Sequence, residues 1–319
     1  MTPPPPQPSA SPTFLLSFDC EGKWGVADHL SPHYQRLLNH AALADIYRRL
    51  LDCLEEYGVR ASFAFVGAFT LSPEQVAEHP DWFADVPVQG RSWLQQFRAD
   101  WARRHTEGWF EPELMQAVRQ RPQHEIACHG FSHLPLATTL VDRAAARREL
   151  GAARALAQLH GLPMQTLVYP RNLCGYTGDL ADFGFTGYRL GHQRLPGRRQ
   201  RLAALLGECW PGLRAESHAA AQPPPIAIPG GRFLNWRHGP RRQVPLALTR
   251  QRWRHALDDA IQRGGVVHLY SHPHNFLDGD RQLPLLAWIL ARVAERVRSG
   301  ALANPTLGDY CQQRLTRTT

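Results

Sequence analysis

Four short stretches of this 319-residue chain concentrate acids and histidines, and all four sit just after an apolar run. The first is Asp19-Cys20-Glu21. Two carboxylates at i and i+2 project from the same side of an extended segment. Such acids are costly at a strand end unless they are solvated, paired or bound to a cation. The second is His129-Gly-Phe-Ser-His133. At i and i+4 on a helical turn, two imidazoles share a face and can hold one cation. With 16 histidines in the chain, a chance pair at this spacing is expected. On its own the pair reads better as surface histidines at a helix N-terminus. The third stretch is Arg171-Asn172, after Pro170. The fourth is His268-Leu-Tyr-Ser-His272-Pro-His274. A histidine at a strand terminus beside a cation can act as a general acid, whereas His268, inside the apolar run, reads as a core residue. A cation site, a second carboxylate and an acid together make up the equipment of metal-assisted hydrolysis.

The flanking patterns show how these residues are brought together. Residues 13–18, 60–66, 124–128, 166–169, 184–189 and 265–271 read as strands. Residues 37–57 place Leu38, Ala42, Ile46, Leu50 and Leu54 at helical spacing, with Gly58 as the stop. Residues 142–160 read as a helix capped by Asp142 and stopped by Gly161. Thr249 is expected to cap a helix reaching residue 263, and 282–299 is a final amphipathic helix. Residues 70–110 form a tryptophan-rich excursion with short helices, and 190–245 a long, partly ordered loop. Strands alternating with helices imply parallel pairing. A single run of such units from 13 to 319 implies one α/β barrel with two insertions. In such barrels the chemistry sits at the C-terminal ends of the strands, where the four stretches fall.

Composition narrows the setting. The net charge is +8, and Lys23 is the only lysine among 36 basic residues. The arginine surplus suggests an anionic partner. No nucleic-acid motif is present, so a phosphate-linked small substrate fits better. An Arg-rich codon bias explains the same surplus. Arg189, Arg194, Arg198, Arg199 and Arg201 form a basic run that could hold phosphate or be solvated charge. The six cysteines include no C-x-x-C pair and read as reduced thiols of a cytoplasmic protein. Residues 1–12 read as a disordered proline-rich tail without the features of a signal peptide. No apolar run reaches the ~20 residues that cross a bilayer. Trp24, Trp82, Trp93, Trp101, Trp109 and Trp236 could stack on sugar faces, though aromatic residues at such spacing are more often core.

The order LSFDCEG, EIACHGFSH, VYPRN, HLYSHPHNF resembles the polysaccharide deacetylases of carbohydrate esterase family 4. The resemblance spans about residues 13–310. It implies a distorted (β/α)7-type barrel, a divalent metal ion, often zinc, and removal of acetyl groups from glycans. Carried over, Asp19 matches the catalytic base, His129 and His133 the metal histidines, and His272 the general acid. Glu21 takes the place of the metal-binding acid. Tyr169, Asn172, His274 and Trp24 are then expected around the carbohydrate substrate. Three departures stand out. Cys20 separates two acids that are adjacent in the family. Val168 and Tyr169 stand where an arginine precedes the proline, with Arg171 the expected replacement. The family's Asp/Trp motif is not recognisable. The implied activity is N-deacetylation of an amino sugar from a surface polysaccharide or its precursor. An allantoinase-like amide hydrolase and an inactive glycan-binding protein are the alternatives.

Overall fold

The computed structural model describes residues 11–315, apart from 194–196, 198, 200–202, 204–205, 221, 235–241, 278 and 280. Most of the expected proline-rich tail, together with Arg194, Arg198, Arg201 and Trp236, thus lies outside the described residues.

The strand β1 (Thr13–Cys20) is buried at every position. An all-buried strand has both faces covered, which is the environment of a parallel sheet between layers. β1 pairs in parallel with β2 (Ser62–Phe65) and with β10 (Val266–Ser271). β5 (Glu125–Cys128), β6 (Thr166–Val168), β7 (Gly187–Arg189) and β8 (Ile226–Ile228) extend the sheet beyond β2, and β9 (Arg232–Phe233) lies beyond β10. The order is β8-β7-β6-β5-β2-β1-β10-β9, parallel throughout. The two edge strands are consecutive in the chain. Residues 229–231 join them, a span of at most ~14 Å at ~3.5 Å per residue. The sheet must therefore curl until its edges nearly meet. The result is a distorted barrel of eight parallel strands with a seam between β8 and β9, and it forms one α/β domain.

Helices cover the outside. A short helix, α1 (Pro32–Leu37), precedes α2 (His40–Tyr57). Asn39 caps α2 by accepting from Ala42 N at 2.9 Å, and Gly58 ends it in the left-handed region. Leu37 therefore ends α1 and Leu38 caps it, and neither belongs to the expected long helix. In the tryptophan-rich excursion, α3 (Pro73–Glu78) and α4 (Gln95–Ala102) flank a small hairpin, β3 (Pro87–Val88) with β4 (Arg91–Ser92). α5 (Pro112–Arg119) leads into β5. α6 (Arg143–Leu159) follows the cap Asp142, which accepts from Ala145 N at 2.7 Å. α7 (Leu246–Arg263) starts after Pro245, so Thr249 is an interior, buried residue and not the cap. α8 (Gln282–Arg298) and α9 (Leu307–Leu315) complete the chain. The expected loop 190–245 contains β8 and β9, which at three and two residues are too short to show periodicity.

Candidate active site

The C-terminal strand ends converge on one cleft of about 260 Å³. That is close to the lower end of the ~300–1,000 Å³ of small-ligand pockets. Alternation along β1 sends Asp19 and Glu21 into the cleft and Cys20 away from it. Both acids line the cleft. Cys20 is fully buried, with its thiol directed at Phe18 O (3.5 Å) and packed near Tyr47.

The two histidines of the second stretch do not share a helical turn, as their spacing suggested. Gly130 (φ +75) and His133 (φ +61) bend the chain after β5 into a loop. Glu149 of α6 holds that loop. Its Oε1 accepts from the backbone N–H groups of Phe131 (2.8 Å), Ser132 (2.7 Å) and Leu134 (3.3 Å), and its Oε2 from the Ser132 hydroxyl (2.8 Å). The loop brings the two imidazole rings to 4.9 Å between centroids.

The donor set can be tested against a cation. His129 Nδ1 lies 2.8 Å from Val168 O, a carbonyl that can only accept, so Nδ1 carries the proton. In the neutral ring Nε2 is then a bare lone pair. It faces Glu21 Oε2, another acceptor, at 3.3 Å. Two acceptors at this range repel unless a cation or a proton lies between them. His133 Nε2 is 2.9 Å from the same oxygen, and its buried Nδ1 has no hydrogen-bond partner. Burial pushes the His133 pKa down to about 4, against the pull of Glu21, so this ring is neutral near pH 7. For Glu21, burial works to raise the pKa, but His272, His133 and His129 outweigh it and hold the carboxyl well below its usual range. Two imidazoles and one carboxylate, with ligand atoms mutually within 4.8 Å, form a three-residue donor set suited to a divalent ion with an open position. The residues fit such an ion.

Asp19 meets an arginine that the motif comparison did not find. Arg189, the last residue of β7, is 1 % exposed. It grips Asp19 with both arms, Nη1 to Oδ1 at 2.7 Å and Nη2 to Oδ2 at 2.6 Å. Burial would raise the Asp19 pKa, but the guanidinium prevails and the acid is held low. Arg189 also donates to Asn172 Oδ1 (2.7 Å) and stacks on Tyr270, 4.1 Å from the ring centre. Arg189 therefore belongs to neither a solvated run nor a phosphate site. The other described arginine of that run, Arg199, is exposed. Arg171, the expected replacement for the motif arginine, adopts a left-handed conformation and pairs with Asp28 at 2.6 Å on the cleft wall. The backbone amides of Asn172 and Leu173 are bonded to Tyr169 O and Pro170 O.

His272 projects from the end of β10. Its Nδ1 bonds Asn275 Oδ1 at 2.9 Å, which turns Nε2 toward Glu21 Oε1 (3.4 Å) and Asp19 Oδ2 (3.8 Å). His274 lies in the cleft wall, stacked on His272. Two expected substrate contacts are misplaced. Tyr169 is 1 % exposed, and its hydroxyl donates to Gly175 O at 2.8 Å. Trp24 is 1 % exposed, among Phe83, Phe97, Trp109 and Phe110, with Nε1 bonded to Trp109 O. Both are core residues. Trp82, Trp93 and Trp101 are partly buried and pack against the same core.

Fold and cleft together define a class: a distorted parallel barrel with imidazoles and carboxylates gathered at the C-terminal ends of its strands. Residues 38–180 match the family model described as polysaccharide deacetylase, so this part of the chain is similar to that family. The fold agrees with a chain from Mycobacterium smegmatis assigned as a polysaccharide deacetylase. That chain is 15 % identical with a TM-score of 0.59, over 100 % of this chain and 95 % of that one. It agrees similarly with a chain of the same assignment from Pseudomonas aeruginosa PAO1, 14 % identical with a TM-score of 0.56, over 94 % and 89 % of the two chains. No curated protein matches the sequence.

Proposed function

We propose that this chain is a metal-dependent hydrolase that removes the acetyl group from an N-acetylated amino sugar of a surface polysaccharide or its precursor. The observation that carries this reading is the approach of His129 Nε2 and His133 Nε2 to one Glu21 oxygen, beside a clamped Asp19. Glu21, His129 and His133 would hold the ion, with zinc the proposed occupant. When bound, the ion supplies Lewis acidity at the acetyl carbonyl and lowers the pKa of water in the cleft. Asp19 is the base. Arg189 occupies one lone pair on each of its oxygens and leaves the others to receive a proton from the attacking water. The water oxygen bonds the acetyl carbon and the C–N bond breaks. His272 Nε2, aimed by Asn275, gives its proton to the departing amine. Asn172, His274 and Arg171 stand on the cleft wall, where they would contact the sugar. The free thiols accord with a reducing, cytoplasmic setting. The arginine surplus accords with a phosphate-linked sugar.

The test is acetate release from nucleotide-activated and lipid-linked N-acetyl sugars, with O-acetyl sugars and cyclic amides as controls. Asp19→Asn is expected to retain the metal and lose at least about 100-fold in kcat. Near-normal acetate release from that variant would remove Asp19 as the base. Ring-opened product from a cyclic amide would replace the substrate class.

A further inference from the structure

Behind Asp19 the barrel interior holds a chain of polar groups where apolar packing would be expected. Ser17, Arg189 and His268 are all at most 1 % exposed. Arg189 Nη1 lies 3.1 Å from Ser17 Oγ, Ser17 Oγ 2.9 Å from His268 Nε2, and His268 Nδ1 2.7 Å from Pro229 O. The proton positions follow from chemistry. Pro229 O is a carbonyl and only accepts, so His268 Nδ1 carries a proton and donates it. Arg189 only donates, so Ser17 Oγ accepts from it and must send its own proton onward. His268 Nε2 must then be a bare acceptor. This single arrangement requires a neutral imidazole. Burial and the nearby Arg189 charge push the ring pKa down to about 3, so it is neutral throughout the working range.

The chain ends in the seam. Pro229 lies in the three-residue segment that joins the two edge strands. Gly231 of that segment has φ +79, and a Cβ there would fall 2.8 Å from His268 Cγ and 2.6 Å from His268 O. The backbone thus passes directly over the ring, and only glycine allows it.

We infer that Ser17 and His268 are positioning residues for the base: with Pro229 O they fix the Arg189 fork that aims the Asp19 carboxylate. Neither touches the reacting atoms. They act through Arg189, and the seam segment anchors them. This rests on the proposal that Asp19 is the base.

The alternative role for His268 is that of a hydrogen-bonded core histidine with no part in catalysis, and a double-mutant cycle separates the two. Wild-type acetate release that is abolished in Asp19→Asn establishes the reading on which the inference rests. Absence of wild-type release would remove that reading without any variant of the chain being needed. With that in place, Ser17→Ala deletes one oxygen. It is expected to lower kcat about tenfold, the scale of one hydrogen bond to a charged group, with KM and bound metal unchanged. His268→Gln, which keeps an acceptor toward Ser17, should lie within about threefold of wild type, and His268→Phe should match Ser17→Ala. The double variant Ser17→Ala/Arg189→Met should be no slower than Arg189→Met alone, because its effect passes through the missing fork. Losses that multiply in the double variant would overturn the inference. So would a Ser17→Ala variant with wild-type kcat, or one whose activity loss is matched by lost metal. If His268→Phe does not fold, Ser17→Ala and the cycle decide the question alone.

Discussion

Of the three residues at the end of β1, Cys20 is the natural rival to Glu21 as a ligand, because thiolate binds zinc well. Two properties of the site oppose it. The pleat turns the thiol away from the cleft, and burial holds its pKa well above the usual thiol range. A buried thiol of this kind behaves as a small apolar group. Glu21→Ala is expected to lower metal content and activity together, because it removes the one oxygen that both imidazoles approach. Cys20→Ser should keep both and lose only stability, by about 1 kcal/mol from a less apolar atom in a full core. Metal analysis beside activity decides between them. Metal lost in Cys20→Ser and kept in Glu21→Ala would reverse the assignment. That Asp19, Glu21, His129, His133 and His272 would lie together in one cleft could be read from the sequence because each falls at or within a few residues of the end of an apolar run. Trp24 was misread because an aromatic beside a motif looks the same whether it faces sugar or core. Only its four aromatic neighbours distinguish the two.

At the scale of elements, long strands and capped helices could be read because their signals are local. Asp142 and Gly58 each mark an end by a hydrogen bond or dihedral that the residue type predicts, whereas the Asn39 cap was passed over and the helix expected from residue 37. β8 and β9 could not be read, since two or three residues carry no period. Arg189 was hidden for a related reason. It lies on a different strand from the VYPRN stretch, and only the parallel register of β6 with β7 shows that its side chain enters the same layer. Glu149 was equally invisible, being an acid in the middle of a helix. Its carboxylate collects three backbone N–H groups and one hydroxyl, so α6 sets the geometry of a loop that it does not adjoin in sequence. Glu149→Gln should therefore act on the metal site at a distance. The amide oxygen can still accept from the three N–H groups and the Ser132 hydroxyl can turn to accept from the amide nitrogen, but the three N–H bonds lose the charge of their acceptor and weaken. The expected effect is a 10–100-fold weaker metal affinity, the usual range for groups that orient metal ligands, with Asp19 and His272 untouched. Titration of the apo protein with zinc measures it. Unchanged affinity together with lowered stability would make Glu149 purely a loop anchor.

For the whole molecule, the cation donors come from different parts of the barrel. Glu21 follows β1, the His129–His133 loop follows β5, and Asp19 is tied through Arg189 to β7. An ion at Glu21, His129 and His133 therefore binds the folded barrel and has no comparable site in the unfolded chain. Such an ion stabilises by RT ln(1 + [L]/Kd), about 2.7 kcal/mol at 100 times Kd. For a large domain, at roughly 2–4 °C per kcal/mol, this is a rise of roughly 5–10 °C in Tm. Chelation should lower Tm by that amount and added zinc should restore it. Glu21 also lies within reach of His272 and His274, a second candidate set in the same cleft, and a third set outside the cleft makes the experiment discriminating. His40, Glu111 and Glu113 also lie within reach of one another, with His40 Nδ1 2.6 Å from Glu111 and 3.0 Å from Glu113. There, however, His40 is more than half exposed and protonation alone satisfies the cluster. Its pKa is raised by the hydrogen bond to Glu111, so the ring can carry the charge an ion would bring. At the cleft burial pushes the His133 pKa down to about 4, so that ring does not carry such a charge near pH 7. The zinc-dependent rise in Tm should consequently vanish in Glu21→Ala and persist in His40→Ala. The reverse pattern, or a rise that survives in both variants, would move the ion out of the cleft and take the proposed chemistry with it.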